Sequence, residues 1–186
     1  MKHFIKKLIL VNFLVVSSMA SVIPAIASTH GEDSPVKNEQ VALSTSNQQE
    51  KQRVLDVVHK YTQSVNVGDK QPELIEDLWE HSPDVSNINI RGHQKGFDDI
   101  KKNFYAPIFA VLKDRNLRMF TNEREPSVYI FDNTAVVEFY WELNGVTIDG
   151  NKPVHMFGRE THVMRKINGE WKLVHLHYSG MPVKGF

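Results

Sequence analysis

The segment Gly158–Gly180, GRETHVMRKINGEWKLVHLHYSG, contains two strand-like runs joined by Asn168-Gly169. An Asn-Gly pair supplies the positive φ angles of a tight type I′ turn, so the segment is predicted to be a β-hairpin. Period-two alternation gives the second strand one face with Trp171, Leu173, His175 and His177, and another with Val174, Leu176 and Tyr178. Both faces are partly apolar. We therefore expect the strand to be covered on both sides, with the two histidines near a pocket or an interface.

Upstream of the hairpin, the apolar residues recur at helical spacing. A first helix is predicted from Gln49 to about Gly68, with an apolar stripe formed by Val54, Val58, Tyr61 and Val65. A short second helix follows from Pro72 to about His81. A third opens near Asp98, and Pro107 must kink it or restart it.

The other segments are predicted to be strands. Residues 85–90 alternate as a short strand, and Gly92 and Gly96 indicate a loop after it. Five more strands are predicted at residues 117–123, 128–131, 135–143, 153–167 and 171–178, with turns at Asp132-Asn133, at Asn144-Gly145 or Asp149-Gly150, and at Asn168-Gly169. Helices followed by a run of antiparallel strands predict an α+β domain, with the helices on one face of a curved sheet.

The N-terminus has the pattern of a secretory signal. Basic residues in Met1–Lys7 precede an apolar stretch from Leu8, and Ala25-Ile26-Ala27 forms an A-x-A cleavage site. Residues 1–27 are therefore predicted to be removed during export to the periplasm or the outside of the cell. A retained membrane anchor is the alternative, but Ser17, Ser18 and Pro24 interrupt the stretch. Residues 28–48 are rich in polar residues and are predicted to be a flexible leader, which leaves 49–186 as the domain.

Composition excludes several kinds of function. The chain has no cysteine, which rules out disulfides and thiol chemistry. Removing residues 1–27 takes away Lys2, Lys6 and Lys7 but no acidic residue, so the net charge falls from 0 to about −3. No basic cluster with interleaved aromatic residues is present, so we expect no nucleic-acid partner. We also expect no membrane contact after signal removal.

Two motifs resemble a known family. They are GFDDI at Gly96–Ile100, which opens the third helix, and the hairpin from Glu160 to Pro182. With the order of the elements, they make residues 49–182 similar to the nuclear transport factor 2-like superfamily and its SnoaL-like and ketosteroid-isomerase-like branches. The ending looks most like the association domain of calcium/calmodulin-dependent protein kinase II.

The resemblance implies a cone-shaped, cystatin-like fold, in which a bent antiparallel sheet wraps around three N-terminal helices and leaves a cavity at its wide end. Such a cavity is a natural site for a small molecule. The pocket of the kinase association domain carries arginines on three strands, whose positions match Trp141, His162 and Tyr178 here, and a helix histidine that matches Ile100. That anion-binding set is therefore absent. The resemblance also implies self-association through the sheet.

The predicted ligand-binding residues are Trp141, His162, Tyr178, Tyr105 and Trp79. Trp141 shares the apolar face of its strand with Val137 and Phe139, which core packing would explain equally well. His162 shares a face with Glu160 and Met164, and a structural, hydrogen-bonded histidine is the alternative for it.

His175 and His177 form a His-x-His pair, a spacing that zinc can use when His155, Glu160 or His162 supplies a third ligand. The same pair occurs in the kinase association domain. We therefore interpret it as structural or as part of an interface, and we predict neither a metal nor a cofactor.

No nucleophile elbow, phosphate loop or paired zinc motif is present. An isomerase-like reaction would need a carboxylate base in an apolar cavity and a neutral donor. Tyr105, Tyr140 and Tyr178 could donate, and Asp84, Glu138 or Glu142 could accept a proton. The leading hypothesis is an exported domain that binds a small apolar molecule and self-associates. The alternatives are an isomerase, dehydratase or hydrolase that uses His162 and Tyr178, and a pure oligomerisation module.

Overall fold

The computed structural model describes residues 35–122 and 124–181, with side chains from Thr45 onwards. The predicted signal at 1–27 and the first part of the predicted leader lie outside these residues, so the division into signal, leader and domain stays a prediction. Within the described residues, no helix is long and apolar enough to cross a membrane.

Three helical segments precede or interrupt the strands. They are α1 (Pro35–Val67), α2 (Glu73–Leu78), and a segment made of α3 (Phe97–Ile100), one π-helical turn (Lys101–Tyr105) and α4 (Ala106–Val111). The predicted stripe of Val54, Val58, Tyr61 and Val65 is buried in α1. This helix begins at Pro35 rather than Gln49. Each residue added to a formed helix gains one hydrogen bond and does not pay the free-energy cost of nucleation again. Polar residues can therefore continue the helix.

Pro107 affects the third segment as predicted, through a local change of helix type. The backbone N–H of Ala106 donates to the Lys101 carbonyl, which is the hydrogen-bond pattern of a π-helical turn. Proline has no N–H and its ring clashes with the preceding turn, so a regular α-helix cannot run through it unchanged. The wider turn places the Pro107 ring in the first turn of α4.

Seven strands form one sheet. Their bounds are β1 (Ser86–Asn89), β2 (Gly92–Lys95), β3 (Leu112–Met119), β4 (Ser127–Phe131), β5 (Thr134–Thr147), β6 (Pro153–Ile167) and β7 (Glu170–Gly180). The segment after Gly92, predicted to be a loop, is β2, because it pairs with β1. Strand β5 continues through Asn144-Gly145, which leaves Asp149-Gly150 as the turn, where Gly150 has a φ of 72°.

The strand order is β2-β1-β7-β6-β5-β3, and β4 also pairs with β5. Every pair is antiparallel except β1 and β7, which run parallel. The predicted α+β class with a curved, helix-covered sheet is confirmed. The inner face of the sheet and the helices share one core, which includes Val58, Leu78, Ile100, Val137 and Leu173.

The hairpin turn has the predicted backbone, since Asn168 and Gly169 have φ angles of 52° and 86°. The predicted faces of β7 are wrong beyond Leu173. The pairing register shifts there. Leu173 pairs with Met164 of β6 and His175 pairs with Val163, so two adjacent residues of β6 face a stretch of β7 that contains one residue more, Val174. The extra residue is a β-bulge, which reverses the alternation. Trp171 and Leu173 therefore share the buried face with Leu176, and His175 and His177 lie on the outer face.

Candidate functional site

A cavity of about 160 Å³ lies between the inner face of the sheet and the helices. Its walls are mostly apolar, and they come from α1, the third helical segment, strands β3, β5, β6 and β7, and the turn between β1 and β2. The apolar lining residues are Val65, Ile90, Phe104, Ile108, Leu112, Leu117, Leu143 and Met156. Five further lining residues carry polar groups, namely Tyr61, Arg91, Trp141, Glu160 and Tyr178.

Glu160 is the only carboxylate among the lining residues. Alternation along β6 turns it inward together with His162 and Met164, and the residue is only 4% exposed. Its Oε1 accepts a hydrogen bond of 2.8 Å from the Tyr61 hydroxyl on α1. Its Oε2 is buried without a hydrogen-bond donor among the described residues. The cavity wall thus contains a buried carboxylate, with Oε1 bonded to Tyr61 and Oε2 3.8 Å from Nε2 of His162.

Two phenols close to Glu160 stay protonated at neutral pH. Burial, and then the negative charge of Glu160, raises the pKa of Tyr61 well above its ordinary value. Burial and Glu160 raise the pKa of Tyr178 to about 12, against a smaller opposing effect of Arg91. Both hydroxyls can therefore donate hydrogen bonds. Tyr178 lies directly opposite Glu160, on the neighbouring strand β7.

Trp141 and Tyr178, both predicted to bind a ligand, line the cavity. Their rings meet edge to face, with centroids 5.8 Å apart. The Trp141 ring lies against Gly158 of β6, where a Cβ atom would come closer than 3.0 Å to it. Gly158 therefore makes room for the indole. The indole N–H is buried without an acceptor among the described residues.

His162 is fully buried but does not line the cavity. Its ring packs edge to face against Tyr61 and Phe139, at centroid distances of 4.8 Å and 4.9 Å. Its Nε2 lies 3.8 Å from Glu160 Oε2, and neither ring nitrogen has a hydrogen-bond partner among the described residues. The structure therefore places this candidate acid or base behind Glu160, out of reach of a molecule in the cavity.

Tyr105 and Trp79 are also absent from the cavity lining. The Trp79 indole N–H donates to the Tyr105 hydroxyl at 3.1 Å, and this hydroxyl lies 2.9 Å from Ser64 Oγ. Both aromatic residues are 1% exposed. They form a buried hydrogen-bonded group that joins α1, the third helical segment and the end of α2, and their predicted contact with a ligand stays a prediction.

The His-x-His pair has no inward role. Nδ1 of His175 lies 2.7 Å from Ser86 Oγ on β1, and His177 is exposed. The suggested third ligands lie elsewhere, since Glu160 and His162 face inward and His155 bonds Glu142 at 2.8 Å. In the part of the chain that the structure describes, no group of three or more potential metal-binding side chains occurs.

His175 makes stability depend on pH. Burial, followed by the charges of His177 and His93, lowers its pKa below the ordinary 6.5. Between the lowered pKa of the folded state and the ordinary pKa of 6.5, the unfolded state therefore binds more protons than the folded state. Stability is complete above about pH 6.5 and falls as the pH decreases from there toward the folded-state pKa.

We expect His175→Gln to flatten the decline in melting temperature between pH 7 and 5, measured by circular dichroism. The exposed His59→Gln should leave the decline unchanged; equal slopes for both variants would contradict this.

Three site residues were missed in the sequence. From the sequence, Glu160 is predicted only as a neighbour of His162 and as a possible metal ligand, although alternation along the strand puts it on the same face as His162. Tyr61 belongs to an apolar helical stripe, so only its hydroxyl could have suggested a polar role. No sequence signal indicated Arg91, which enters the lining because the turn between β1 and β2 lies at the end of β7.

Comparisons with known proteins agree with this architecture. The solved structure of a nuclear transport factor 2-like superfamily protein from Salmonella enterica serovar Typhimurium is 33% identical, with a TM-score of 0.69, over 75% of this chain and 96% of that one. The S. rosetta CaMKII hub is 25% identical, with a TM-score of 0.56, over 70% and 96% of the two chains. The association domain of C. elegans CaMKII is 19% identical, with a TM-score of 0.56, over 72% and 98%.

No curated protein matches the chain significantly. A family model for the SnoaL-like domain matches residues 54–184, which include every strand and the buried half of α1. The chain belongs to the SnoaL-like family, within the nuclear transport factor 2-like superfamily.

Proposed function

We propose that this protein is exported and binds a small, largely apolar molecule in the cavity, held by a hydrogen bond to Glu160. The observation that carries the proposal is the buried carboxylate of Glu160 in an otherwise mostly apolar lining, since its Oε1 accepts one hydrogen bond from Tyr61 and has a second lone pair. A buried carboxylate lacking donors is costly, and a ligand that supplies a donor recovers part of this cost. A cavity of about 150 Å³ holds benzene in another protein, so we expect the enclosed part of the ligand to be about the size of one six-membered ring.

The test compares para-cresol with toluene, which has the same ring and methyl group but no hydroxyl. Binding to the purified protein is measured by ligand-observed NMR. We expect para-cresol to bind at least tenfold more tightly, since a hydrogen bond to a charged group contributes roughly 1.5–3 kcal/mol. Glu160→Gln should remove most of this preference.

Glu138→Gln is the matched control, because Glu138 is an exposed glutamate on the outer face of β5. It should keep the preference for para-cresol. Equal affinity of the native protein for the two probes would refute the role of Glu160, and the absence of binding for both would refute the cavity as a binding site.

A second candidate function is proton transfer, in an isomerase, dehydratase or hydrolase. It is favoured by the position of Glu160 directly opposite a neutral phenol, Tyr178, on one face of the sheet. In this arrangement Glu160 would abstract a proton, and Tyr178 would donate a hydrogen bond to the developing oxyanion. Deuterium incorporation at the α carbons of cyclohexanone, lost in Glu160→Gln and reduced in Tyr178→Phe, would support it. Exchange that both variants retain would exclude it.

Self-association is the third part of the proposal, and a pure assembly module is its extreme form. The similarity to structures named as an association domain and a hub supports it. The outer face of the sheet, which carries His175 and His177, is the surface that we propose for the contact. Light scattering over a range of concentrations tests this: a monomer at every concentration would exclude it. Mass spectrometry of the exported protein tests cleavage after Ala27.

A further inference from the structure

The outer face of the sheet, which points away from the helices, has a groove of its own. This outer groove crosses strands β4, β5, β6 and β7 and has a volume of about 350 Å³, within the range of small-molecule sites. The cavity described above lies on the inner side of the same sheet. The two spaces are therefore separated by the sheet itself.

The pairing register arranges the polar side chains of the outer groove in rows across the sheet. One row contains Glu138 of β5, Thr161 of β6 and His177 of β7, which lie directly opposite one another. Neighbouring strands are about 4.8 Å apart, so this row spans roughly 10 Å. It places a carboxylate, a hydroxyl and an imidazole side by side, all open to solvent or only half-buried.

The next row brings a positive charge into the outer groove. It contains Tyr140, Arg159 and Ser179, again directly opposite one another. A second arginine, Arg124, enters from the β4 side, three residues before Ser127 of that strand. Both arginines are exposed, and neither has a hydrogen bond or an ion pair among the described residues. Two free guanidinium groups thus face one space.

These groups suit a ligand that combines an anion with several hydroxyls. Guanidinium groups bind phosphates and carboxylates through charge-assisted hydrogen bonds, often two at a time. Glu138 would repel a bare anion, but its carboxylate accepts hydrogen bonds from ligand hydroxyls. The half-buried ring of Tyr140 offers a flat surface for the apolar C–H face of a sugar ring. A sugar that carries a charged group meets all three requirements.

We propose that the outer groove binds an anionic sugar. Its phosphate or carboxylate contacts Arg159 and Arg124, its hydroxyls donate to Glu138, and its ring packs against Tyr140. This inference goes beyond the proposed function, because it uses the opposite side of the sheet from the cavity. Each site can fail without the other, since para-cresol tests only the cavity.

The experiment compares four probes by calorimetry with the purified native protein at low salt: glucose 6-phosphate, glucuronate, glucose and inorganic phosphate. We expect at least one of the two anionic sugars to bind at least about tenfold more tightly than both glucose and inorganic phosphate. The tighter of the two identifies the charged group as phosphate or carboxylate. Equal affinity for inorganic phosphate and glucose 6-phosphate would overturn the assignment of a sugar, and no binding of either anionic sugar would overturn the site.

Arg159→Gln should weaken the binding of the tighter anionic sugar about tenfold, because it removes a charge-assisted contact. Arg165→Gln is the matched control. Arg165 is an exposed arginine on the same face of the same strand, but it does not line the outer groove and lies 3.7 Å from Glu80. It should retain the native affinity. Equal losses in both variants would indicate a general charge effect and would contradict the proposal.

Tyr140→Leu tests the contact with the sugar ring. The change keeps an apolar side chain and removes the flat ring, so affinity for the tighter anionic sugar should fall several-fold. Binding of para-cresol in the cavity should stay at the native level, which shows that the variant is folded. Native affinity of Tyr140→Leu for the anionic sugar would remove the ring contact from the proposal.

The outer groove also includes His177, which belongs to the surface proposed for self-association. A second copy docked on that surface would cover the groove, so the two events should compete. We expect the tighter anionic sugar at saturation to lower the mass of an associated protein in light scattering, whereas glucose should not. If the mass of an associated protein stays the same with the sugar bound, the sugar binds outside the outer groove and the proposal fails.

Discussion

Gly158→Ala is expected to lower the free energy of unfolding by about 3 kcal/mol, the upper part of the range for overpacked cores. A Cβ atom at this position would come closer than 3.0 Å both to the Trp141 ring and to the backbone carbonyl oxygen of Ser179. The first contact could be relieved by moving the indole. The second requires β6 and β7 to separate where Gly158 pairs with Gly180. Urea denaturation followed by tryptophan fluorescence measures the loss.

Gly180→Ala is the matched control. Gly180 lies directly opposite Gly158, but nothing lies within 4 Å of a Cβ atom built there. We expect its free energy of unfolding to stay within about 0.5 kcal/mol of the native value, as for most surface substitutions. If both variants lose a similar free energy of unfolding, the close contacts at Gly158 are not the cause of the loss, and the packing argument is contradicted.

Tyr61→Phe is expected to lower the free energy of unfolding by about 2–3 kcal/mol. The change removes the one hydrogen bond that Glu160 Oε1 receives, at 2.8 Å, and leaves a buried carboxylate without a donor. An unsatisfied buried group costs about 1–3 kcal/mol, and more when it is charged. The measurement is urea denaturation at pH 7.

A double-mutant cycle separates this effect from lost packing. Replacing both partners by apolar groups is close to neutral for a buried hydrogen bond, so Tyr61→Phe combined with Glu160→Met should recover much of the loss. Tyr129→Phe serves as the control, because Tyr129 is an exposed tyrosine on β4. If the double variant loses as much free energy of unfolding as the two single variants together, the side chains of Tyr61 and Glu160 are not energetically coupled.

The local features of the fold were predictable because each depends on a few neighbouring residues. Asn168-Gly169 sets the hairpin turn, and the stripe from Val54 to Val65 sets the buried face of α1. The limits of the elements were less predictable. The polar residues from Pro35 to Gln48 have no periodic signal, yet they extend α1 because the packed part of the helix provides the nucleus.

The α+β class, the helical stripe, the hairpin and the shared face of Glu160 and His162 follow from periods of 3.6 and two residues, which neighbouring residues encode. Which of these residues meet depends on the packing of the whole domain. One extra residue in β7 sends His175 and His177 outward, and the parallel pairing of β1 with β7 brings Arg91 to Tyr178 and the cavity. Bulges and long-range pairings arise from contacts between distant segments, which no local period encodes.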